Sequence, residues 1–94
     1  MAEVRRLYYD SGKLKLKAEC FEINGKKNGE YKSYHDNGQL RCICTYIDGK
    51  INGEYKRYYE NGKISVICLY IDGKVNGEYK QYKYEWLINV ILYL

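Results

Sequence analysis

One 24-residue phrase recurs in register along this chain, and nothing else in the sequence restricts the fold as strongly. EINGKKNGEYKSYHDNGQLRCICT (22–45) is followed by YIDGKINGEYKRYYENGKISVICL (46–69) and then by YIDGKVNGEYKQYKYEWLINVILY (70–93). Such self-similarity means that one small unit is stacked on copies of itself, each copy covering part of its neighbour. The glycines set the phase, with Gly25, Gly49 and Gly73 in one turn, Gly29, Gly53 and Gly77 closing it, and Gly38 and Gly62 in the other. Each unit therefore holds two turns and two strands. Ser11-Gly12, Asn37-Gly38 and Asn61-Gly62 supply residues that tolerate positive φ, as a tight hairpin turn requires. The connection DGKIN and its equivalents runs about five residues and is expected to be the longer loop.

The expected architecture is all-β: tandem β-hairpins in an elongated, twisted antiparallel meander of about eight strands. The absence of proline, together with many β-branched and aromatic residues, suits long uninterrupted strands. Residues 1–94 form one domain, divided into a degenerate N-terminal hairpin (1–21), two full repeats (22–45 and 46–69) and a divergent C-terminal repeat (70–94). At 94 residues the core has to be thin. Strict alternation puts Leu14, Leu16, Ala18 and Cys20 on one face, continued by Leu40, Cys42, Cys44 and Tyr46, then Ile64, Val66, Cys68 and Tyr70, and last Ile88, Val90, Leu92 and Leu94. This is the predicted core face. The opposite face starts polar at Lys13, Lys15, Lys17, Arg41, Lys63 and Ser65 and ends apolar at Ile23, Ile47 and Ile71.

With the phase established, GEYKRYYENGK followed by YIDGKVNGEYK resembles the MORN-type repeat, in the short variant found in bacterial and large-virus proteins. The resemblance covers roughly residues 8–82, and the C-terminal copy departs from it where Tyr84, Glu85 and Trp86 replace a glycine turn. It implies a ribbon of hairpins that serves as a scaffold or docking surface, sometimes dimeric, with membrane-lipid binding proposed for some members.

Catalytic and metal chemistry find little support in the residues. Cys20, Cys44 and Cys68 recur with the repeat, but equivalent strands lie two apart, about 9.5 Å, beyond the reach of a disulfide. Without a CxxC pair no zinc site is expected, and the four cysteines read as buried free thiols in a reducing compartment. His35, the only histidine, stands where the next copy has Tyr59 and is expected to be a solvated turn residue. No enzyme activity and no cofactor is expected.

Binding is the expected function. Tyr31, Tyr55 and Tyr79 form one line and Tyr34, Tyr58 and Tyr82 another, offering rigid contact area at low entropic cost to a protein partner. Lys32, Lys56 and Lys80, interleaved with them, define an alternative in which the chain is a peripheral binder of anionic membrane lipid or, less favoured, nucleic acid. The apolar C-terminal stretch carrying Trp86, Leu87, Ile88, Val90, Ile91, Leu92 and Leu94 would leave an open, two-sided edge, so a homodimer through this strand is expected. The N-terminal residues lack an apolar run behind Arg5 and Arg6 and no apolar stretch is long enough to span a bilayer as a helix, which points to a cytoplasmic protein.

Overall fold

The computed structural model describes residues 2–10, 15–84 and 89–93, the last segment by its backbone. Among the described residues nine strands make one antiparallel sheet: β1 (Ala2–Tyr8), β2 (Leu16–Ile23), β3 (Lys26–Tyr34), β4 (Leu40–Ile47), β5 (Lys50–Ile51), β6 (Gly53–Tyr58), β7 (Ile64–Ile71), β8 (Lys74–Tyr82) and β9 (Asn89–Tyr93). The order is β1-β2-β3-β4-β6-β7-β8-β9, with the short β5 paired to β4. Apart from β5, each strand pairs with the next along the chain, so the path is a meander of eight strands, as the repeat predicts. Its extents are 40 × 31 × 11 Å. All of its strands belong to one sheet, so the slab is a single layer, and among the described residues no other element covers either face.

The two turn types are the reverse of what the sequence suggests. Ile23 pairs with Lys26 and Ile71 with Lys74, leaving two-residue loops at Asn24-Gly25 and Asp72-Gly73, and Ile47 with Lys50 leaves Asp48-Gly49. Both residues of each loop have positive φ, 51° at Asp48 and 83° at Gly49 for example, which is the turn whose twist matches a hairpin. The Asn37-Gly38 and Asn61-Gly62 turns are the longer ones. There the amide of Gly38 donates to the carbonyl of His35 at 2.9 Å and that of His35 to Gln39 at 2.8 Å, a three-residue loop with a single positive-φ glycine. Asn37 and Asn61 serve through their side chains instead, each Oδ1 accepting from the amide two residues on at 2.9 Å.

Adjacent repeats are stapled along both turn edges. At the tight-turn edge Asn28 Oδ1 accepts from the Asp48 amide at 2.8 Å and Asn52 Oδ1 from the Asp72 amide at 3.1 Å. At the other edge the Tyr9 hydroxyl donates to the carbonyl of Tyr34 at 2.6 Å and that of Tyr59 to the carbonyl of Tyr82 at 2.5 Å. His35 takes this role in the middle repeat. Its Nε2 lies 2.8 Å from the carbonyl of Tyr58, and since a carbonyl only accepts, Nε2 carries the proton. His35 is thus half-buried and bonded to the next hairpin, not the solvated turn residue the sequence suggests.

A β-bulge recurs with the repeat and corrects the predicted faces. Leu7 pairs with Ala18 but Tyr8 with Leu16; Ser33 with Cys42 but Tyr34 with Leu40; Arg57 with Val66 but Tyr58 with Ile64. Lys17, Arg41 and Ser65 are the extra residues. An extra residue reverses the parity of everything beyond it, so Leu16, Leu40 and Ile64 leave the predicted core line and pair with Tyr8, Tyr34 and Tyr58. Arg41 and Ser65, expected on the polar face, turn inward: Arg41 Nε reaches Ser33 Oγ at 3.3 Å, and Ser65 is buried. What remains buried among the described residues is Ala18, Cys20, Ser33, Cys42, Cys44, Ser65, Val66 and Cys68, none larger than valine. Lys13 and Leu14, and the Ser11-Gly12 turn, lie outside the described residues.

Candidate binding face

Small residues are the floor on which one face is built. Register pairs Cys20 with Tyr31, Tyr31 with Cys44, Tyr55 with Cys68 and Cys68 with Tyr79, so Tyr31 stands between two cysteines and Tyr55 and Tyr79 flank Cys68. Tyr46 and Tyr70 face Gly29 and Gly53 across the ladder, and a glycine leaves room for a ring to lean diagonally over its neighbour. The result is two aromatic pairs: Tyr31 with Tyr46 at 5.8 Å between centroids, and Tyr55 with Tyr70 at 5.4 Å. Lys27 Nζ lies 5.6 Å from the Tyr46 ring and 6.0 Å from Tyr31, a favourable cation–π distance.

The structure thereby divides the six predicted docking tyrosines. Tyr31, Tyr55 and Tyr79 share the face with Tyr46 and Tyr70, which sequence reasoning had assigned to the core line. Tyr34 and Tyr58 are next to the longer turns and Tyr82 ends β8, and their carbonyls receive the latch bonds from Tyr9, His35 and Tyr59. The signal for Tyr46 and Tyr70 was present in the sequence: a tyrosine that alternates with cysteine and meets a glycine across the ladder.

A cavity of about 210 Å³ opens at the centre of this face, where Tyr31, Tyr46 and Tyr55 meet Arg41 and Arg57 over Cys42 and Cys44. A second, of about 430 Å³, adjoins it across Arg57 and extends to Tyr79. Burial pushes the thiols of Cys20 and Cys68 and the hydroxyls of Tyr46, Tyr55 and Tyr70 up. Cys42 is the exception. A hydrogen bond from the Cys44 thiol, and then one from Tyr55 with the charges of Arg57 and Arg41, bring it down to about 7 against the opposing effect of burial. Cys44, which gives that bond, is correspondingly pushed up. All four cysteines are free and buried. Among the described residues no three His, Cys, Asp or Glu side chains converge to hold a metal ion.

The opposite face is chemically different. Lys32, Lys56 and Lys80, the predicted anion-binding residues, each lie within 3.4, 3.3 and 3.2 Å of the glutamate two positions before them, Glu30, Glu54 and Glu78. Arg6 is paired with Glu19 at 2.6 Å. Ile47, Leu69 and Ile71 stand about half exposed on this side. At the end of the order, β9 pairs with β8 from Tyr82–Asn89 to Glu78–Tyr93. Val90, Ile91 and Leu92 of the predicted self-association segment fall in this strand; Trp86, Leu87, Ile88 and Leu94 lie outside the described residues. No helix among the described residues is long and apolar enough to cross a membrane.

The MORN repeat variant model matches residues 4–21, 27–48 and 51–72. Two of these matches begin one 24-residue repeat apart, and each takes in the strands flanking a longer turn or its N-terminal counterpart. No curated protein and no solved structure matches the chain.

Proposed function

Because this chain belongs to the MORN repeat variant family, whose repeats are generally associated with binding proteins or membrane lipids, we propose that it is a non-enzymatic protein-interaction module that engages its partner through the tyrosine–cysteine face. The observation that supports this reading is the single-layer sheet: among the described residues no second layer covers a face that carries two aromatic pairs over a buried small-residue floor. Rigid tyrosines presented this way are the side chains that dominate protein interfaces. Tyr31, Tyr55 and Tyr79 make the contact together with Tyr46 and Tyr70. The lysine-based lipid or nucleic-acid reading is weakened because Lys32, Lys56 and Lys80 already have carboxylates beside them. The buried free thiols fit a reducing, cytoplasmic setting. Self-association through β9 is the accompanying proposal, since that strand lies at the end of the strand order.

The test is capture of partners from native lysate of the source cell, with nuclease present, by the parent chain and by Tyr31→Ser/Tyr55→Ser. Proteins retained at high salt by the parent and lost by the variant support the reading. Retention of lipid or nucleic acid alone, released by salt, rejects it. Sedimentation across a concentration series examines the dimer, and a monomer throughout removes that part of the proposal.

A further inference from the structure

Two of the four arginines in the sequence differ from the other two. Arg5 is paired with Glu22 at 3.1 Å and Arg6 with Glu19. Arg41 and Arg57 have no carboxylate partner among the described residues, and both line the 210 Å³ cavity at the centre of the tyrosine face. Their placement follows from the register: Arg57 pairs directly with Cys42, and Arg41 is the bulge residue beside it, turned onto this face and touching Ser33. Without the bulge Arg41 would lie on the opposite face. Toward the tight-turn edge the same cavity ends in Tyr31, Tyr46 and Tyr55, with Lys27 above the first two rings.

From this arrangement we infer that the tyrosine face binds an extended acidic peptide of its partner, with one carboxylate held between Arg41 and Arg57 and an adjacent apolar side chain against Tyr31, Tyr46 and Tyr55. This rests on the protein-interaction reading and specifies the partner's chemistry. Guanidinium groups bind carboxylates through charge-assisted hydrogen bonds in a fixed fork, which makes the site directional. Charge complementarity selects the occupant. Lys32, Lys56 and Lys80 of the opposite face each have a glutamate beside them, whereas no acid lines the cavity that Arg41 and Arg57 share, Glu60 lying in the adjoining one. A membrane or a nucleic acid gains affinity from many phosphate contacts spread over a surface. Two arginines converging on one cavity, closed at the other end by aromatic rings, fit a single carboxylate beside an apolar group.

The experiment is fluorescence anisotropy at low salt with the labelled peptides SGFEFESG and SGFQFQSG, the parent chain, Arg57→Gln, Arg41→Gln and Tyr55→Ser. The glutamate peptide should bind tighter than the glutamine peptide by on the order of tenfold, and Arg57→Gln should remove most of that preference. Arg57 is exposed, so its replacement leaves the fold intact, whereas Arg41→Gln also loses the Ser33 contact. Equal binding of the two peptides, an unchanged preference in Arg57→Gln, binding of neither peptide, or tighter binding of phosphatidylserine vesicles or a single-stranded oligonucleotide would each overturn the inference. Equal binding of both peptides that Tyr55→Ser abolishes would overturn the acidic preference and leave the interaction face standing. Cellular partners retained by Tyr31→Ser/Tyr55→Ser would remove both.

Discussion

The two faces of this sheet share one backbone, yet they are built on different principles. On one, cysteine, serine and alanine are buried beneath tyrosines that meet in tilted, edge-to-face pairs. On the other, each glutamate of the GEYK phrase answers the lysine two residues later, and isoleucines at the tight-turn edge stay half exposed. The difference teaches that a one-layer protein need not have a core in the usual sense. Its interior is the shallow space between a pleated floor and the aromatic side chains laid over it, so burial is asymmetric although both faces meet solvent.

The largest effect should come from placing a charge on the floor. Cys44 is 3% exposed, and Cys44→Asp should cost about 3 kcal/mol or more in urea unfolding, because an unpaired carboxylate would be desolvated there. Ile47→Asp, at a position 56% exposed on the opposite face, should stay within about 0.5 kcal/mol. Similar losses at both sites would break the distinction between the faces.

Alkali should act on the tyrosine face next. Cys20, Cys44, Cys68, Tyr46, Tyr55 and Tyr70 are all pushed up in the folded chain, so the unfolded chain releases these protons first. Their contribution is complete below the ordinary thiol value of about 8.5 and is lost as pH rises past it and past about 10 for the phenols. Cys42 works in the other sense: its contribution is present above the ordinary thiol value and lost as pH falls through about 7. The melting temperature should therefore decline as the solution is made alkaline, and Cys42→Ala should flatten the slope on the neutral side. A melting temperature that rises steadily into alkali would contradict the burial of these groups.

The latch residues should give a smaller change. Tyr59→Phe loses the hydrogen bond to the carbonyl of Tyr82 and should cost about 1 kcal/mol, and His35→Phe about the same. His35→Tyr gives the residue that the other two latches, Tyr9 and Tyr59, use and should be nearly neutral in thermal unfolding. A large loss in His35→Tyr would show that the imidazole does something a phenol does not. Smallest of all is Lys56→Ala. Its partner Glu54 is 63% exposed, and the pair should contribute no more than about 0.5 kcal/mol, less at high salt.

Much of this molecule was legible in its sequence because the repeat repeats its own evidence. Glycine phase and strand alternation were enough to foresee a meander and to place Cys20, Cys42, Cys44 and Cys68 on a buried line. The turns misled because Asn37-Gly38 and Asp48-Gly49 are nearly the same dipeptide. What separates them is the pairing beyond, Ile47 with Lys50 in one case and a three-residue loop in the other. The bulge at Lys17, Arg41 and Ser65 was invisible to strict alternation, since one extra residue leaves the composition unchanged and reverses the face. That slip hid Arg41, and with it the cationic end of the cavity. The latch of His35 onto Tyr58 was hidden for another reason: the sequence shows histidine in place of tyrosine but not the carbonyl that both reach.

Carbene footprinting of the chain with and without a salt-stable partner would test the central claim most directly, because it reports which face the partner covers. Protection is expected at Tyr31, Tyr55, Tyr70 and Arg57, with labelling of Ile47, Leu69 and Ile71 unchanged. Protection of the isoleucine and leucine side, with the tyrosines labelled as before, would contradict it.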